Sequence, residues 1–179
     1  MQTLLDDGQI EQLLAALADD ILADPTFHSP EAPVALVGIR SRGELLAQRL
    51  AVKLADRKKH VGPIDVGALD ITLYRDDLAS RRAITIPQGT ELNFAIDDRP
   101  IILVDDVLET GRSVRAALDA LVDFGRPRLI RLAVLIDRGS REFPIAADYV
   151  GLHVTEINAQ QKITVRLKPT DSEDGVYLQ

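Results

Sequence analysis

Two adjacent carboxylates follow a continuous apolar stretch and come shortly before a turn of glycine, arginine and hydroxyl residues. The stretch is Ile101–Val104, the acids are Asp105 and Asp106, and the turn is Thr110–Ser113. The amide groups of such a turn, together with the start of a following helix, bind anions, and glycine lets a phosphate approach the backbone closely. Carboxylates accept hydrogen bonds from sugar hydroxyls and suit a hydrated magnesium ion. The pattern therefore predicts a site for a ribose phosphate.

The apolar pattern predicts the elements that must position this site. Three continuous apolar runs are typical of strands buried on both faces of a parallel sheet, and they lie at Val34–Ile39, Pro100–Val104 and Leu129–Ile136. Two further strands are predicted at Asp65–Tyr74 and Ile163–Leu167. Helical spacing predicts helices at 4–22, with Asp6 or Asp7 as N-cap, at 43–55 and at 113–124. This order indicates a doubly wound α/β sheet, which binds ligands beyond the carboxyl ends of its strands.

Composition excludes several classes of protein. The chain has 179 residues, a length that favours one domain, and no cysteine, which rules out disulfides, thiolate metal sites and a cysteine nucleophile. The net charge of −7 argues against general attraction to nucleic acid. We see neither a signal-peptide pattern nor an apolar run of about 18 residues, the length of a membrane span. We therefore expect a cytoplasmic protein without a membrane partner.

The segment Val104–Ser113 resembles the phosphoribosyl diphosphate (PRPP) motif of the type I phosphoribosyltransferases. Three further strings, at 37–43, 69–78 and 132–139, resemble the PyrR family, which comprises bacterial pyrimidine-operon regulators with uracil phosphoribosyltransferase activity. These strings read VGIRSRG, LDITLYRDDL and LAVLIDRG. The resemblance implies the type I phosphoribosyltransferase fold, an α/β fold with a mostly parallel central sheet flanked by helices. It implies one domain over 1–179, with a flexible lid at 76–93 and a small hood formed by 150–179.

The same resemblance implies an activity and partners. Uracil and PRPP would give UMP and pyrophosphate with Mg²⁺ as cofactor, and the protein would regulate pyrimidine biosynthesis genes. Its ligands would be PRPP, uracil and UMP or UTP, and it would form a homodimer or tetramer. Three alternatives stay open: a phosphoribosyltransferase for another base, a non-catalytic UMP or UTP sensor, and an RNA-binding attenuator.

Residue roles also follow from the resemblance. Asp105 and Asp106 would hold the ribose hydroxyls and, through water and PRPP, the metal, and with Arg138 they form the predicted catalytic set. The full predicted PRPP site is Arg40, Ser41, Val104, Asp105, Asp106, Val107, Leu108, Glu109, Thr110, Gly111, Arg112 and Ser113. Arg138 and Ile163 would bind the nucleobase, and the lid arginines Arg75, Arg81 and Arg82 would reach pyrophosphate.

Two positions depart from the family pattern near the site. The family usually has an aromatic or small residue where this chain has Glu109, and a carboxylate beside a phosphate is unfavourable unless it points away. The family usually has histidine where this chain has Ser140.

Arg42 is a second basic residue beside Arg40. Both follow a predicted strand at its carboxyl end, which argues against two merely exposed cations.

RNA binding is the family property that this sequence supports least. RNA-binding members use a basic concave face with side chains from the first helix and from the segment after the last buried strand. At these positions, which are usually polar or basic, this chain has Ala15, Asp19, Ser140, Ala146 and Leu152. Only Arg141 keeps the expected charge. Because phosphate contacts dominate nucleic-acid affinity, we expect weak or no binding of leader RNA.

Overall fold

The computed structural model describes residues 2–27, 33–57, 64–76, 89–154, 157–158 and 160–179. The helices and strands of these residues follow in chain order. They are β1 (Gln2–Leu5), α1 (Asp7–Ala23), β2 (Ala35–Ile39), α2 (Arg42–Arg57), β3 (Asp65–Leu69), β4 (Pro100–Leu108), α3 (Arg112–Val122), β5 (Leu129–Asp137), β6 (Tyr149–His153), β7 (Ile163–Arg166) and β8 (Gly175–Leu178). None of the described helices has the length and hydropathy needed to span a membrane.

The central sheet has five parallel strands in the order β3-β2-β4-β5-β6. Successive side chains of β4 point to opposite faces. Ile102 and Val104 pack in the core formed with α1 and α2, while Ile101 and Leu103 pack against α3. Burial on both faces explains why the central strands are continuous apolar runs, and it confirms the predicted doubly wound α/β fold.

The first helix begins later than its apolar spacing suggested. Asp6 is the N-cap: its carboxylate accepts the Gln9 amide at 2.8 Å, and the Gln9 side chain accepts the Asp6 amide at 2.9 Å. This reciprocal capping satisfies two amides at the helix start. Leu4 and Leu5, which the prediction placed in the helix, lie instead in β1.

A second, antiparallel sheet has the order β1-β8-β7, and we call it the small sheet. The hood was predicted from residues 150–179 alone, and the structure corrects this in two ways. Gln2 in β1 is in register with Leu178 in β8, so the N-terminus supplies one strand. Val150 in β6 is in register with Val134 in β5, so β6 belongs to the central sheet. Ile163 and Val176 join the core beneath α1 and α2.

The predicted strand at 65–74 is too long. β3 ends at Leu69 because the Asp70 carboxylate accepts the Thr72 amide at 2.8 Å and so starts a 3₁₀ turn at Thr72–Tyr74. Most of the predicted lid, residues 77–88 with Arg81 and Arg82, lies outside the described residues. Its far end is attached to the sheet, since Glu91 and Ala68 exchange backbone hydrogen bonds of 2.8 and 2.9 Å.

Candidate active site

A cavity of about 670 Å³ opens at the carboxyl edge of the central sheet. Residues 105–114, from the end of β4 to the start of α3, form one wall, and residues 162–165 of the small sheet form the other. Arg42, Arg75 and Glu142 complete the lining. Parallel strands place their carboxyl ends at one edge, and the cavity therefore lies where an α/β sheet binds its ligands.

The two adjacent acids lie at the base of this cavity. Asp105 is only 7% exposed, and its carboxylate accepts the Asp106 amide at 2.9 Å. The Asp106 carboxylate in turn accepts the Val107 amide at 2.9 Å. Burial and the neighbouring Asp106 charge raise the pKa of Asp105 well above 3.8, and burial also raises the pKa of Asp106. Such a pair favours ligands that donate hydrogen bonds or carry positive charge.

We call residues 109–113 the phosphate turn. Gly111 caps α3 with φ of +89°, a conformation that side chains disfavour. The Thr110 carbonyl accepts amides of Glu142 and Phe143 at 2.9 and 3.1 Å, and the Gly111 carbonyl accepts the Arg115 amide at 2.9 Å. These hydrogen bonds fix the path of the turn, and the Arg112 amide donates to the Thr110 hydroxyl at 3.3 Å. This arrangement can bind an anion.

Arg141 supports the phosphate turn from behind. Its Nη1 donates to the carbonyls of Leu108 and Glu109 at 3.2 and 2.9 Å, and its Nε donates to the Ile145 carbonyl at 2.8 Å. Its Nη2 lies 2.7 Å from each carboxylate oxygen of Asp137. The side chain is 22% exposed. The cation that the sequence assigned to an RNA-binding face is therefore engaged inside the protein.

Arg138, which the resemblance places in the nucleobase pocket, lies within the wall and is not among the residues that line the cavity. It is 6% exposed, and its Nη1 pairs with the Glu109 carboxylate. Its Nη2 donates to the carbonyls of Gln161 and Asn158 at 2.7 and 3.3 Å. The unusual Glu109 thus has a buried cationic partner, which only the folded chain reveals.

The turn after β2 contains two arginines, of which one lines the cavity. The peptide bond between Arg40 and Ser41 is cis. Arg40 points towards β3, with Nη1 3.1 Å from Glu44 and Nη2 2.8 Å from Glu91, and neither Arg40 nor Ser41 lines the cavity. Arg42 lines it instead and makes two hydrogen bonds of 3.1 and 3.0 Å to the Asp171 carboxylate.

Close packing explains how the start of α2 reaches the site. A Cβ atom on Gly43 would lie 2.4 Å from the Val104 carbonyl, so only glycine allows this approach. The first turn of α2, with Arg42, is thereby held beside the end of β4. The position of Arg42 at a strand's carboxyl end was the available signal in the sequence, but the choice between two neighbouring arginines depends on this packing.

The structure thus brings together most of the predicted PRPP site. All residues from Asp105 to Ser113 line the cavity with Arg75 and Ile163, and Arg75 donates to the Ser113 hydroxyl at 3.1 Å. Val104 is buried beneath them. Sequence reasoning missed Lys162, Thr164 and Val165. The hydropathy pattern of the C-terminal segment was too weak to predict these residues. They reach the cavity only because the small sheet pairs the two ends of the chain.

Comparison with known proteins identifies the family. The model of the phosphoribosyl transferase domain matches residues 1–169. The bifunctional protein PyrR of Alkaliphilus metalliredigens is 47% identical over 176 residues, covering 98% of this chain and 93% of the relative. The chain belongs to the PyrR family. The bifunctional protein PyrR of Chloroflexus aurantiacus is 53% identical over 145 residues, covering 81% of this chain and 78% of the relative.

Solved structures agree on the fold. The hypoxanthine phosphoribosyltransferase of Trypanosoma cruzi superposes with a TM-score of 0.74, covering 99% of this chain and 95% of that one. Only 17% of its residues are identical, so this similarity concerns the fold alone. The expectation of a type I phosphoribosyltransferase fold in a PyrR-like chain is confirmed.

Proposed function

We propose that this chain transfers the phosphoribosyl group of PRPP to uracil, forming UMP and pyrophosphate. The observation that carries the proposal is a single cavity that joins the Asp105–Asp106 pair to the phosphate turn. Acids for a sugar and amides for a phosphate lie side by side, as a ribose phosphate requires. Membership of the PyrR family supports uracil as the base.

Each part of the cavity has a proposed role. The phosphate turn holds the 5′-phosphate, and Asp105 and Asp106 accept hydrogen bonds from the ribose hydroxyls. The base lies against residues 162–165. As uracil nitrogen bonds to C1 of the ribose, the C1–O bond breaks and its electron pair leaves with pyrophosphate, while the proton on that nitrogen passes to the pyrophosphate or to solvent. Positive charge develops on the ribose during the reaction, and the negative charge of Asp105 and Asp106 lies close to it. This stabilisation, together with the positioning of the reactants, accelerates the reaction without a covalent nucleophile.

Pyrophosphate contacts are proposed for Arg42 and Arg75. Both guanidinium groups line the cavity, and their charges lower the pKa values of Asp106 and Asp105 against the effect of burial. Arg42, held by Asp171, takes the part that the sequence suggested for Arg40. The segment 76–93 remains a proposed lid, with Arg75 at its base.

The acid pair fits the proposed magnesium ion. Magnesium commonly takes one or two carboxylates, retains several waters and completes its shell with substrate phosphates. Asp105 and Asp106 supply that number, and no group of three or more acidic or histidine residues in the described part of the chain could hold a metal. An ion held through water and PRPP suits this donor set. When bound, it would neutralise charge on the leaving pyrophosphate.

We also propose a homodimer or tetramer. The side chains of Leu73, Val122 and Phe124 are 77%, 64% and 47% exposed. They belong to neighbouring segments, because the Tyr74 hydroxyl donates to Asp123 at the end of α3. Large exposed apolar side chains on adjoining segments favour burial between copies. Sedimentation velocity tests this, and a monomer at micromolar concentration contradicts it.

The proposed activity is tested by turnover with a panel of bases. Wild-type protein, PRPP and Mg²⁺ are incubated with uracil, cytosine, hypoxanthine or guanine, and nucleotide and pyrophosphate are quantified. We expect equal amounts of UMP and pyrophosphate with uracil and much slower reaction with the others. Preference for a purine base would contradict the assignment of uracil. UMP binding without turnover of any base would favour a nucleotide sensor instead.

A further inference from the structure

Glu109 occupies an unusual place for a carboxylate. It belongs to the phosphate turn and lines the cavity, yet its side chain is directed to Arg138. Arg138 is 6% exposed and Glu109 is 43% exposed, so the pair joins a buried cation to the cavity surface. A buried arginine without a carboxylate partner is strongly unfavourable, and this partner comes from the turn itself.

The other end of Arg138 reaches the opposite wall. Its Nη2 donates to the Gln161 and Asn158 carbonyls at 2.7 and 3.3 Å. Gln161 directly precedes Lys162, whose backbone exchanges hydrogen bonds of 2.7 and 2.9 Å with Gln179 at the edge of β8. The contacts therefore run from the phosphate turn through one buried guanidinium to the start of β7.

This path connects the two walls between which the ligand lies. The phosphate turn and residues 162–165 both line the cavity, and under the proposed function they bind the two ends of the nucleotide. Arg138 does not line the cavity, so it acts on a ligand only through Glu109 and the carbonyls of Asn158 and Gln161. A fixed separation of the walls is what discrimination between bases of different size requires.

We propose that the Glu109–Arg138 pair is a brace that sets the width of the nucleobase slot and so favours a pyrimidine over a purine. Glu109 and Arg138 are positioning residues, and the inference rests on the proposed phosphoribosyl transfer. The charge on Glu109 is neutralised by Arg138, which reconciles this carboxylate with a neighbouring phosphate. Loss of the pair lets the small sheet move outwards, while Asp105, Asp106 and the backbone amides of the phosphate turn are retained.

The test compares Glu109→Gln and Glu109→Ala with the wild-type protein. Glu109→Gln keeps the size and one acceptor oxygen but removes the charge, and Glu109→Ala removes the brace. Glu142→Gln is the matched control, because Glu142 also lines the cavity and pairs with an arginine, Arg112 at 2.5 Å. Its partner lies on α3, so this pair does not connect the two walls.

Kinetics and hydrogen exchange provide separate readouts. For Glu109→Ala we expect the ratio of kcat/KM for uracil to that for hypoxanthine to fall about tenfold or more, the range of size discrimination by a pocket. The KM for uracil rises several-fold more than the KM for PRPP, and Glu109→Gln is intermediate. Amides of residues 162–165 exchange faster in both variants, while those of α2 do not change. Glu142→Gln retains the wild-type ratio.

Several results would overturn the brace. They are a wild-type base ratio in Glu109→Ala, a parallel rise in the KM for uracil and PRPP, or unchanged exchange at 162–165. If the wild-type protein turns over no base, the proposed function fails. The exchange at 162–165 then decides the brace alone, with faster exchange supporting it and unchanged exchange overturning it.

Discussion

Replacing Arg141 by methionine should weaken both the fold and the phosphate site. The change keeps the apolar stem and removes a guanidinium that serves four separate groups. The carbonyls of Glu109 and Ile145 lose their donors at 2.9 and 2.8 Å. The buried Asp137 carboxylate loses both 2.7 Å contacts and keeps the Gly139 amide at 2.9 Å. The Leu108 carbonyl retains the Arg138 amide.

The contacts set the size of the effect. A hydrogen bond between neutral groups contributes about 1 kcal/mol and one to a charged group about 2 kcal/mol. Arg141 is 22% exposed, and solvent therefore screens part of its attraction to Asp137. We expect the free energy of unfolding to fall by about 3 kcal/mol. Of this loss, about 1 kcal/mol comes from the hydrogen bond to the Glu109 carbonyl, which belongs to the phosphate turn. If the turn loses this support, the Kd for UMP rises about fivefold.

Denaturant unfolding and calorimetric titration with UMP measure the two effects. Arg141→Lys should be intermediate, since one ammonium group cannot serve carbonyls and a carboxylate in the planar geometry of guanidinium. Arg128→Met is the charge-matched control, because Arg128 is exposed and precedes β5 at the opposite edge of the sheet. Wild-type affinity for UMP in Arg141→Met would refute the supporting role of this side chain.

Three further predictions concern charge. Changing Asp105 and Asp106 together to asparagine should lower PRPP affinity about tenfold or more, about 1.4 kcal/mol, and unchanged calorimetric affinity would reject their assignment. The Arg49 hydrogen bond lowers the pKa of Asp174 below 3.8. Above pH 3.8 the wild-type protein should therefore have a higher free energy of unfolding than Asp174→Asn, and this difference should disappear as the pH falls further. A difference in unfolding free energy that does not depend on pH would contradict this. In a filter-binding assay with UMP present, the affinity of the protein for pyrimidine-operon leader RNA should be weak. A submicromolar affinity that falls steeply with salt would support an RNA-binding attenuator instead.

Local patterns predicted the parts of the fold that depend on local physics. The apolar runs of β2, β4 and β5 reflect burial on both faces. The N-cap was predicted as Asp6 or Asp7, and the structure shows that it is Asp6. The phosphate turn was predictable because acids, glycine and helix start are contiguous. These features need no knowledge of distant residues.

Long-range contacts explain what the sequence did not predict. β1 and β8 are short, and they pair Gln2 with Leu178 across the whole chain. Arg138 is buried because Glu109 and the carbonyls at 158 and 161 converge on it, a meeting that no local pattern encodes. Arg40 turns away from the cavity because Glu44 and Glu91 attract it.

A crystal structure of the UMP complex tests most directly the claim that one cavity serves phosphate, ribose and base. We predict the 5′-phosphate on the amides of the phosphate turn, the ribose hydroxyls on Asp105 and Asp106, and the uracil ring against residues 162–165. UMP bound outside this cavity, or bound with its phosphate at the small sheet and its base at the turn, would contradict the account.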